Sequence, residues 1–210
     1  MEYQQQVSKN HYSFLGYYNK LRWMSFWYQT KAVAERGDIK TMLDIGAGTD
    51  FLRTLLGTHA PTVEYKTLDI AADLKPDHVG SVTSIPLQDN SFDAVSAFQV
   101  LEHIEFADFE TALLEMKRVS KKYVFISLPH NTPTFDFQFK VPGFKRVNFY
   151  WRLPWHRTHV FKGQHYWEIG KKGYSAKKIR SIFDQHFTVL EDFSPMENLY
   201  HQFYILEKKT

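Results

Sequence analysis

The sequence predicts an α/β fold in which a parallel β-sheet carries helices on its faces. Between residues 39 and 130, short apolar runs alternate with helical patterns, which is typical of parallel strands joined by crossover helices. A glycine-rich turn follows the first apolar run, as expected at the ligand-binding edge of such a sheet. The chain has 210 residues, 43% of them hydrophobic, and this length is sufficient for one domain with a full core.

The N-terminal zone, residues 1–38, is predicted to be a helical extension rich in aromatic side chains. Gly37 and Asp38 mark the expected end of its helix. We assign residues 39–210 to the main domain, with residues 131–173 as an insertion. The helix prediction rests on aromatic and aliphatic residues that recur at steps of three and four, namely Phe14, Tyr17, Tyr18, Leu21, Met24 and Tyr28.

The main domain is predicted to contain four strands before the insertion and a helix with two strands after it. The C-terminal helix covers residues 175–187 and is capped by Ser175, and the two strands that follow form an antiparallel hairpin at the sheet edge. The first four strands are predicted at residues 41–45, 64–70, 92–98 and 123–128, with helices at 51–57 and 106–119, and the last two strands at 188–193 and 202–207.

The insertion has an unusual composition. It holds eleven aromatic residues and eight lysines or arginines but only two acidic residues, Asp136 and Glu168. Prolines and glycines interrupt regular elements, so we expect a loop-rich lid or binding wall. A surface arm packed by its own aromatics is the alternative. The basic bias favours an acceptor with carboxylate, phosphate or sugar-phosphate groups, unless the charges form a solvated face.

Composition excludes several classes of protein. The chain has no cysteine, which excludes disulfide scaffolds, thiolate metal sites and cysteine nucleophiles. A net charge of +3 is too small to indicate a nucleic-acid-binding protein. The polar N-terminus lacks the pattern of a secretory signal, and no apolar run is long enough to span a bilayer. We therefore expect a cytoplasmic protein.

Residues 43–50, Leu-Asp-Ile-Gly-Ala-Gly-Thr-Asp, join a predicted strand to a helix. Gly46 and Gly48 would allow the backbone to approach a ligand where a Cβ would clash. Asp44 is expected to hold the turn or to attract a cationic ligand group. Phe51 stands where the dinucleotide fingerprint needs its third glycine, and a phosphate-binding Lys-Ser/Thr pair is also missing. A plain strand–helix turn is the alternative.

Asp69 ends the second predicted strand, 21 residues after Gly48. At this position a carboxylate can accept hydrogen bonds from both ribose hydroxyls of a nucleoside. For an isolated aspartate, a helix cap or a solvated loop would be the simpler interpretation. The spacing favours the ligand-binding role.

Three sequence segments together resemble the class I S-adenosylmethionine-dependent methyltransferases, most closely the type 11 and type 23 methyltransferase-like domains. They are LDIGAG at 43–48, LDI at 68–70 and SIPLQDNSFDAVSAFQVLEHI at 84–104. The resemblance covers residues 39–130, and HYWEIGKKGYS at 165–175 is also similar to members of that group. It implies a Rossmann-like sheet of order 3-2-1-4-5-7-6 with strand 7 antiparallel, and S-adenosylmethionine as cofactor.

The resemblance also implies roles for particular residues. The family usually has a third glycine where Asp50 stands, and often an aspartate where Ser81 stands, which leaves a hydroxyl or backbone contact to the adenine. The implied cofactor contacts are Asp44, Gly46, Ala47 and Gly48 for the methionine half, Asp69 for the ribose, Ile70, Ser81 and Val82 for the adenine, and Phe98 and Gln99 near the sulfur.

His103 is the candidate catalytic base, because it follows the fourth strand of the family sheet and an imidazole accepts protons near neutral pH. A structural histidine that orients the loop is the alternative, and Glu102 is interpreted as an orienting or capping acid. Residues within or next to the aromatic insertion are the candidate contacts to the acceptor, namely His130, His165, Tyr166 and Trp167, and a surface or structural role is the alternative for each.

The predicted function is methyl transfer to a small molecule, with anionic metabolites and glycan precursors as candidate acceptors. RNA 2′-O-methyltransferases that act at RNA 3′ ends are an alternative family, with a Glu-x-x-Glu-His metal site and a later histidine. Here Gln99 replaces the first acid, so we predict no metal and expect no nucleic-acid partner. A non-catalytic domain that binds a cofactor or a partner is the second alternative.

Overall fold

The computed structural model describes residues 3, 6, 14, 16–153 and 157–209. Within these residues, seven strands form one mixed sheet and two further strands form a separate hairpin. In chain order the strands are β1 (Thr41–Ile45), β2 (Glu64–Asp69), β3 (His78–Val79), β4 (Phe92–Phe98), β5 (Ser120–Pro129), β6 (Thr134–Phe139), β7 (Val147–Arg152), β8 (Phe187–Phe193) and β9 (His201–Lys208).

The sheet has the order β3-β2-β1-β4-β5-β9-β8. The strands β1 to β5 pair in parallel, whereas β9 is antiparallel to both β5 and β8. When the sheet strands alone are counted, this is the predicted order 3-2-1-4-5-7-6 with strand 7 antiparallel, so the fold prediction is confirmed. The two-residue strand β3 was not among the strands predicted from the sequence, because so short a run has no measurable period.

Four α-helices pack on the sheet within the described residues: α1 (Lys20–Ala34), α2 (Phe51–His59), α3 (Phe109–Val119) and α4 (Ala176–His186). None of them combines the length and apolar character that crossing a bilayer requires. Ser175 caps α4 as predicted, because its hydroxyl accepts a hydrogen bond from the backbone N–H of Lys178 at 3.2 Å.

The starts of two helices differ from the sequence prediction. The first helix begins at Lys20, because the Asn19 side chain accepts a hydrogen bond from the backbone N–H of Arg22 and caps it there. Phe14, Tyr17 and Tyr18, which were predicted to lie in this helix, therefore precede it. Helix α3 begins at Phe109, because residues 106–108 form a separate 3₁₀ turn.

Successive residues of the central strands face opposite sides of the sheet, and each side carries its own apolar cluster. Met42 belongs to the cluster beneath α1 and α2, and Leu43 belongs to the cluster beneath α3 and α4. Both side chains are fully buried. Covering both faces in this way is what a parallel sheet requires, and it leaves the carboxyl ends of the strands as the place where a ligand can enter.

The insertion is more regular than its prolines and glycines predicted. Strands β6 and β7 form an antiparallel hairpin in which Phe135 faces Trp151 and Phe137 faces Phe149. The loop-rich prediction was wrong for these two segments, because aromatic and polar residues alternate there with the period of a strand. The prolines and glycines of the region stand outside the two strands, as in the tip at residues 140–146.

Candidate functional site

A cleft opens at the carboxyl ends of β1, β2 and β4. Its volume is about 810 Å³, a figure that includes the open mouth. Its lining is mainly apolar, with a few polar groups that converge on it. Seven of the residues predicted to form the site line this cleft: Gly46, Asp69, Ile70, Ser81, Val82, Gln99 and His103.

The glycine-rich turn forms the floor of the cleft. Gly46 has a φ of +66°, and a Cβ added to it would lie 2.5 Å from Cγ2 of Val100. Its backbone N–H donates to the carbonyl oxygen of Leu68 at 2.8 Å, which ties the turn to β2. Gly48 has a φ of +60°. The turn therefore requires glycine at position 46 for two reasons, the backbone conformation and the contact with Val100.

Asp44 lies behind the turn, away from the main cleft. Its carboxylate accepts hydrogen bonds from the hydroxyls of Ser96 and Tyr65, each at 2.5 Å. Burial raises the pKa of Asp44 to about 6, although these two hydrogen bonds oppose the shift. Asp44, Ala47 and Phe98 line a smaller cavity that shares Gly46 and Gln99 with the main cleft. Three of the four residues predicted for the methionine half of a cofactor, Asp44, Gly46 and Ala47, thus border these two adjoining cavities, whereas Gly48 is in the lining of neither.

Asp69 stands at the end of β2, and its carboxylate accepts a hydrogen bond from the backbone N–H of Ala71 at 2.9 Å. Burial raises the pKa of Asp69, whereas the backbone N–H groups of Ala71, Gly48 and Ile70 oppose this rise. A half-buried carboxylate in the wall of an apolar cleft can accept further hydrogen bonds from a ligand. This placement suits the predicted contact with two ribose hydroxyls.

Ile70 and Val82 supply apolar surface to the same part of the cleft as Asp69. The Ser81 hydroxyl is hydrogen-bonded within its own turn. It lies 2.8 Å from Oγ1 of Thr83 and accepts a hydrogen bond from the backbone N–H of Thr83 at 3.2 Å. Ser81 therefore has part of its hydrogen-bonding capacity in use. An apolar wall next to a carboxylate is a suitable surface for the flat base and the sugar of a nucleoside.

Gln99 follows β4 with a φ of +58°, an uncommon conformation for a residue with a side chain. Its side-chain amide donates to Oγ of Ser127 at 3.2 Å, and its backbone N–H donates to the carbonyl oxygen of the same residue. These bonds to β5 hold the strained backbone in place. Strain of this kind is found frequently at binding sites.

His103 lies at the mouth of the cleft. Its Nδ1 is 3.2 Å from the backbone oxygen of Gln164 and 2.7 Å from the side-chain oxygen of Gln6. Because both of these oxygens are acceptors, Nδ1 carries the proton and Nε2 is the unprotonated nitrogen of the neutral ring. Sequence reasoning missed Gln6 and Tyr3, which also line the cleft. Gln6 lies 97 residues from its partner His103 in the chain, and no local pattern reports such a contact.

Glu102 is fully buried, and both of its carboxylate oxygens lack a hydrogen-bond partner within the described part of the chain. Burial raises its pKa to about 7, although the nearby His165 opposes the rise. No cap bond from its side chain is found, so the predicted capping role is not observed among the described residues. Its backbone oxygen accepts the N–H of Tyr166 at 2.8 Å.

Glu102, His103 and His165 each offer one ligand atom within 4.8 Å of the others. Two imidazoles and a carboxylate are a donor set that can hold a divalent transition metal. The prediction of no metal rests on Gln99, which stands where the metal-site motif has its first acid. In the structure the side-chain amide of Gln99 donates a hydrogen bond to Ser127. The prediction that the protein uses no metal stays a prediction.

His165 is the predicted acceptor-binding residue that the structure places in a cavity wall. This third cavity contains about 950 Å³ including its open mouth. Nδ1 of His165 lies 2.8 Å from the Glu168 carboxylate. Burial lowers the pKa of His165, but the bond to Glu168 and the Glu102 carboxyl outweigh it and raise the pKa overall. Positively charged side chains also line this cavity, namely Arg157, Lys162 and Lys171.

The three other predicted acceptor contacts occupy different places. Trp167 is fully buried in the core beside Phe109, and its indole N–H donates to the carbonyl oxygen of Ile104 at 3.2 Å. The structure thus places Trp167 in the core and not in an acceptor pocket, because its large apolar ring is needed there. His130 is also buried, and Tyr166 packs on the ring of Phe161.

Comparison with known proteins agrees with this geometry. Residues 43–127 match the family described as the methyltransferase domain. Among curated proteins, no sequence matches the chain. A protein of Pyrococcus horikoshii has a TM-score of 0.60 at 12% identity, over 97% of this chain and 100% of its own. The resemblance to class I methyltransferases found in the sequence is confirmed.

Two further similar structures carry bound ligands. The N-methyltransferase NodS from Bradyrhizobium japonicum, in complex with S-adenosyl-L-homocysteine, has a TM-score of 0.58 at 10% identity, over 91% of this chain and 89% of its own. A 1,6-didemethyltoxoflavin-N1-methyltransferase from Burkholderia thailandensis, with bound 1,6-didemethyltoxoflavin and S-adenosylhomocysteine, has a TM-score of 0.58 at 15% identity, over 100% of this chain and 94% of its own. At these identities the likeness shows the fold.

Proposed function

We propose that this chain, whose residues 43–127 match the methyltransferase domain family, is an S-adenosylmethionine-dependent methyltransferase that acts on a small-molecule acceptor. The observation that carries the proposal is the cleft at the ends of β1, β2 and β4, where the glycine turn and Asp69 meet an apolar wall. The two ligand-bound similar structures described above hold S-adenosylhomocysteine, the demethylated cofactor, which supports the same cofactor here.

The residues present fit this cofactor. The cleft offers apolar surface at Ile70 and Val82 for the adenine and the Asp69 carboxylate for the ribose hydroxyls. The turn at Gly46 brings backbone to the junction with the smaller cavity, where the amino-acid end of the cofactor would lie. S-adenosylmethionine, when bound, supplies a methyl group on a positively charged sulfur.

The contribution of the protein to methyl transfer is mainly alignment. Good orientation of two reacting groups can lower a barrier by roughly 7–11 kcal/mol. Asp69 and the Gly46 turn would fix the cofactor, and residues at the cleft mouth would fix the acceptor. If the acceptor atom carries a proton, Nε2 of His103 would accept it while Nδ1–H stays hydrogen-bonded to the Gln164 oxygen at 3.2 Å.

The acceptor is expected to be a small anionic molecule, such as a metabolite or glycan precursor. The third cavity supports this class, because Arg157, Lys162 and Lys171 line it together with His165. The His165 and His103 rings meet edge to face, with centroids 5.0 Å apart, so this cavity lies next to the proposed base. Charged groups at such a position bind carboxylates and phosphates well.

The experiment that tests the function is an assay of S-adenosylhomocysteine release over a panel of sugar phosphates, phenols, amines and carboxylates, with an RNA oligonucleotide included. We expect turnover with at least one anionic small molecule. For an oxygen or nitrogen acceptor, His103→Ala should lower kcat by about 10²–10⁴-fold with a small change in KM. Full turnover by that variant would exclude His103 as the base, and methylation of RNA alone would contradict the acceptor class.

A further inference from the structure

The β6–β7 hairpin has one face made entirely of apolar side chains. Cross-strand partners share a face of a hairpin, and here the residues that alternate outward are large and hydrophobic. Each of them exposes between 48% and 59% of its surface, which is far more than a core residue would. The face, called the aromatic face below, consists of Phe135, Phe137, Phe139, Val147, Phe149 and Trp151.

The opposite face of the hairpin is polar and is fixed to the protein at its base. The Arg152 guanidinium donates to the Gln202 side chain at 3.0 Å, to the Ser194 hydroxyl at 2.7 Å and to the Leu199 carbonyl at 2.8 Å. The hairpin is therefore held in place by Arg152 and not by its aromatic face. An apolar patch of this size on a surface indicates a partner that covers it.

The charge around the aromatic face indicates what that partner is. The tip of the hairpin, residues 140–146, carries Lys140, Lys145 and Arg146 around the exposed side chain of Phe144. The acidic residue of the hairpin, Asp136, stands on the polar face. Positive charge beside exposed aromatics is complementary to anionic lipid headgroups. A second copy of the chain would bring the same positive charges together.

We propose that the β6–β7 hairpin docks the protein on the surface of an anionic lipid bilayer. The aromatic face lies at the boundary between headgroups and acyl chains, where aromatic side chains are favoured. The tip lysines and arginine contact the lipid phosphates. A two-stranded hairpin has unpaired backbone groups along both edges, so it stays at the interface and does not enter the hydrocarbon. This inference is independent of the proposed methyltransferase function.

Vesicle flotation of the full chain tests the proposal. We expect the protein to float with vesicles that contain phosphatidylglycerol and not with vesicles of phosphatidylcholine alone. Binding should weaken at least tenfold when the ionic strength rises from about 0.05 to 0.5 M, since salt screens exposed charges. Binding that is equal for both vesicles, or absent from both, would overturn the proposal.

A matched pair of variants separates the aromatic face from charge alone. Phe137→Asp with Phe149→Asp adds two negative charges to the aromatic face, and Gln138→Asp with Asn148→Asp adds the same charge to the polar face. The first pair should reduce vesicle binding at least tenfold more than the second. Equal binding by the two would overturn the proposal. The proposal would also be overturned if the wild-type protein did not float with vesicles but formed a stable dimer, and the first pair of substitutions dissociated that dimer. Circular dichroism verifies that each variant is folded.

Discussion

Gly46 is a residue whose replacement the structure tolerates poorly. A Cβ there would lie 2.5 Å from Val100, and the φ of +66° adds strain. We expect Gly46→Ala to cost roughly 1–3 kcal/mol of unfolding free energy and to weaken S-adenosylhomocysteine binding. Gly57→Ala is the matched control, because Gly57 lies in α2 with open space around it. Gly57→Ala should raise the unfolding free energy by about 0.5–1 kcal/mol, measured by denaturant unfolding. Equal losses in both variants would contradict this account of the turn.

Glu102 makes stability depend on pH. Its folded pKa is about 7, against about 4.5 in an unfolded chain, so the folded state keeps a proton that the unfolded state has released. Stability from this group is therefore full below pH 4.5 and is lost as the pH rises through 7. As the pH rises from 4.5 to 7, the stability of Glu102→Gln relative to wild type should increase. At pH 8 the gain in unfolding free energy should be about 3 kcal/mol. A pH-independent difference in denaturant unfolding would contradict the assignment.

The His165–Glu168 pair gives a second titration. Burial lowers the pKa of His165, but the Glu168 and Glu102 carboxyl groups outweigh burial and raise it. Burial raises the pKa of Glu168, but its hydrogen bonds, that to His165 first, outweigh burial and lower it to about 2. Removing the charge with Glu168→Gln should therefore lower the pKa of His165, which an NMR titration of the ring protons measures. Lys171→Gln serves as the control, since its nitrogen lies 4.0 Å from the same carboxylate without a bond to His165. An unchanged His165 pKa in Glu168→Gln would refute the pairing.

At the residue scale, the sequence could predict the cleft residues but not their partners. Gly46 and Asp69 were found because each lies at the carboxyl end of a strand of the parallel sheet, where ligands bind. Gln99 was implied by the resemblance to class I methyltransferases. Trp167 could not be placed correctly, because an aromatic residue in an irregular segment has the same appearance whether it lines a pocket or fills the core. The contact of Gln6 with His103 joins distant parts of the chain and leaves no local pattern.

At the scale of elements, two central strands were predicted better than the ends of helices, whereas β3, β6 and β7 were not predicted. Strands β1 and β4 have the predicted bounds, because Gly46 and Gln99 interrupt the apolar runs abruptly. The start of α1 was misplaced, since aromatic spacing extended the pattern past the cap at Asn19. In the insertion, the alternation of residues 135–139 was the decisive pattern for a strand, and the count of prolines and glycines obscured it.

The cap of α4 provides a test at this scale. The Ser175 hydroxyl satisfies the backbone N–H of Lys178, which has no partner inside the helix. Ser175→Ala should lower the unfolding free energy by about 0.5–2 kcal/mol in denaturant titration. Ser181→Ala is a suitable control, because Ser181 lies inside the same helix and is exposed. A smaller loss at Ser175 than at Ser181 would contradict the cap assignment.

At the scale of the whole molecule, the topology and the cleft follow from the same rule. Parallel strands joined by crossovers place their carboxyl ends on one edge, and the glycine turn and Asp69 meet there because β1 and β2 are neighbours. The sheet order was predictable through the resemblance to class I methyltransferases. The β6–β7 hairpin was not, because it lies in the insertion at 131–173, outside residues 39–130 that carry the resemblance.

The central claim is that the cleft beside β1 and β2 binds the adenosyl cofactor through Asp69. Calorimetric titration of S-adenosylhomocysteine tests it most directly, with Asp69→Ala beside the control Asp73→Ala, which removes a nearby exposed acid outside the cleft lining. We predict binding by wild type and control, and a loss of about 10–150-fold in Asp69→Ala, as for a charged hydrogen bond of about 1.5–3 kcal/mol. Equal affinity of all three proteins would contradict the claim.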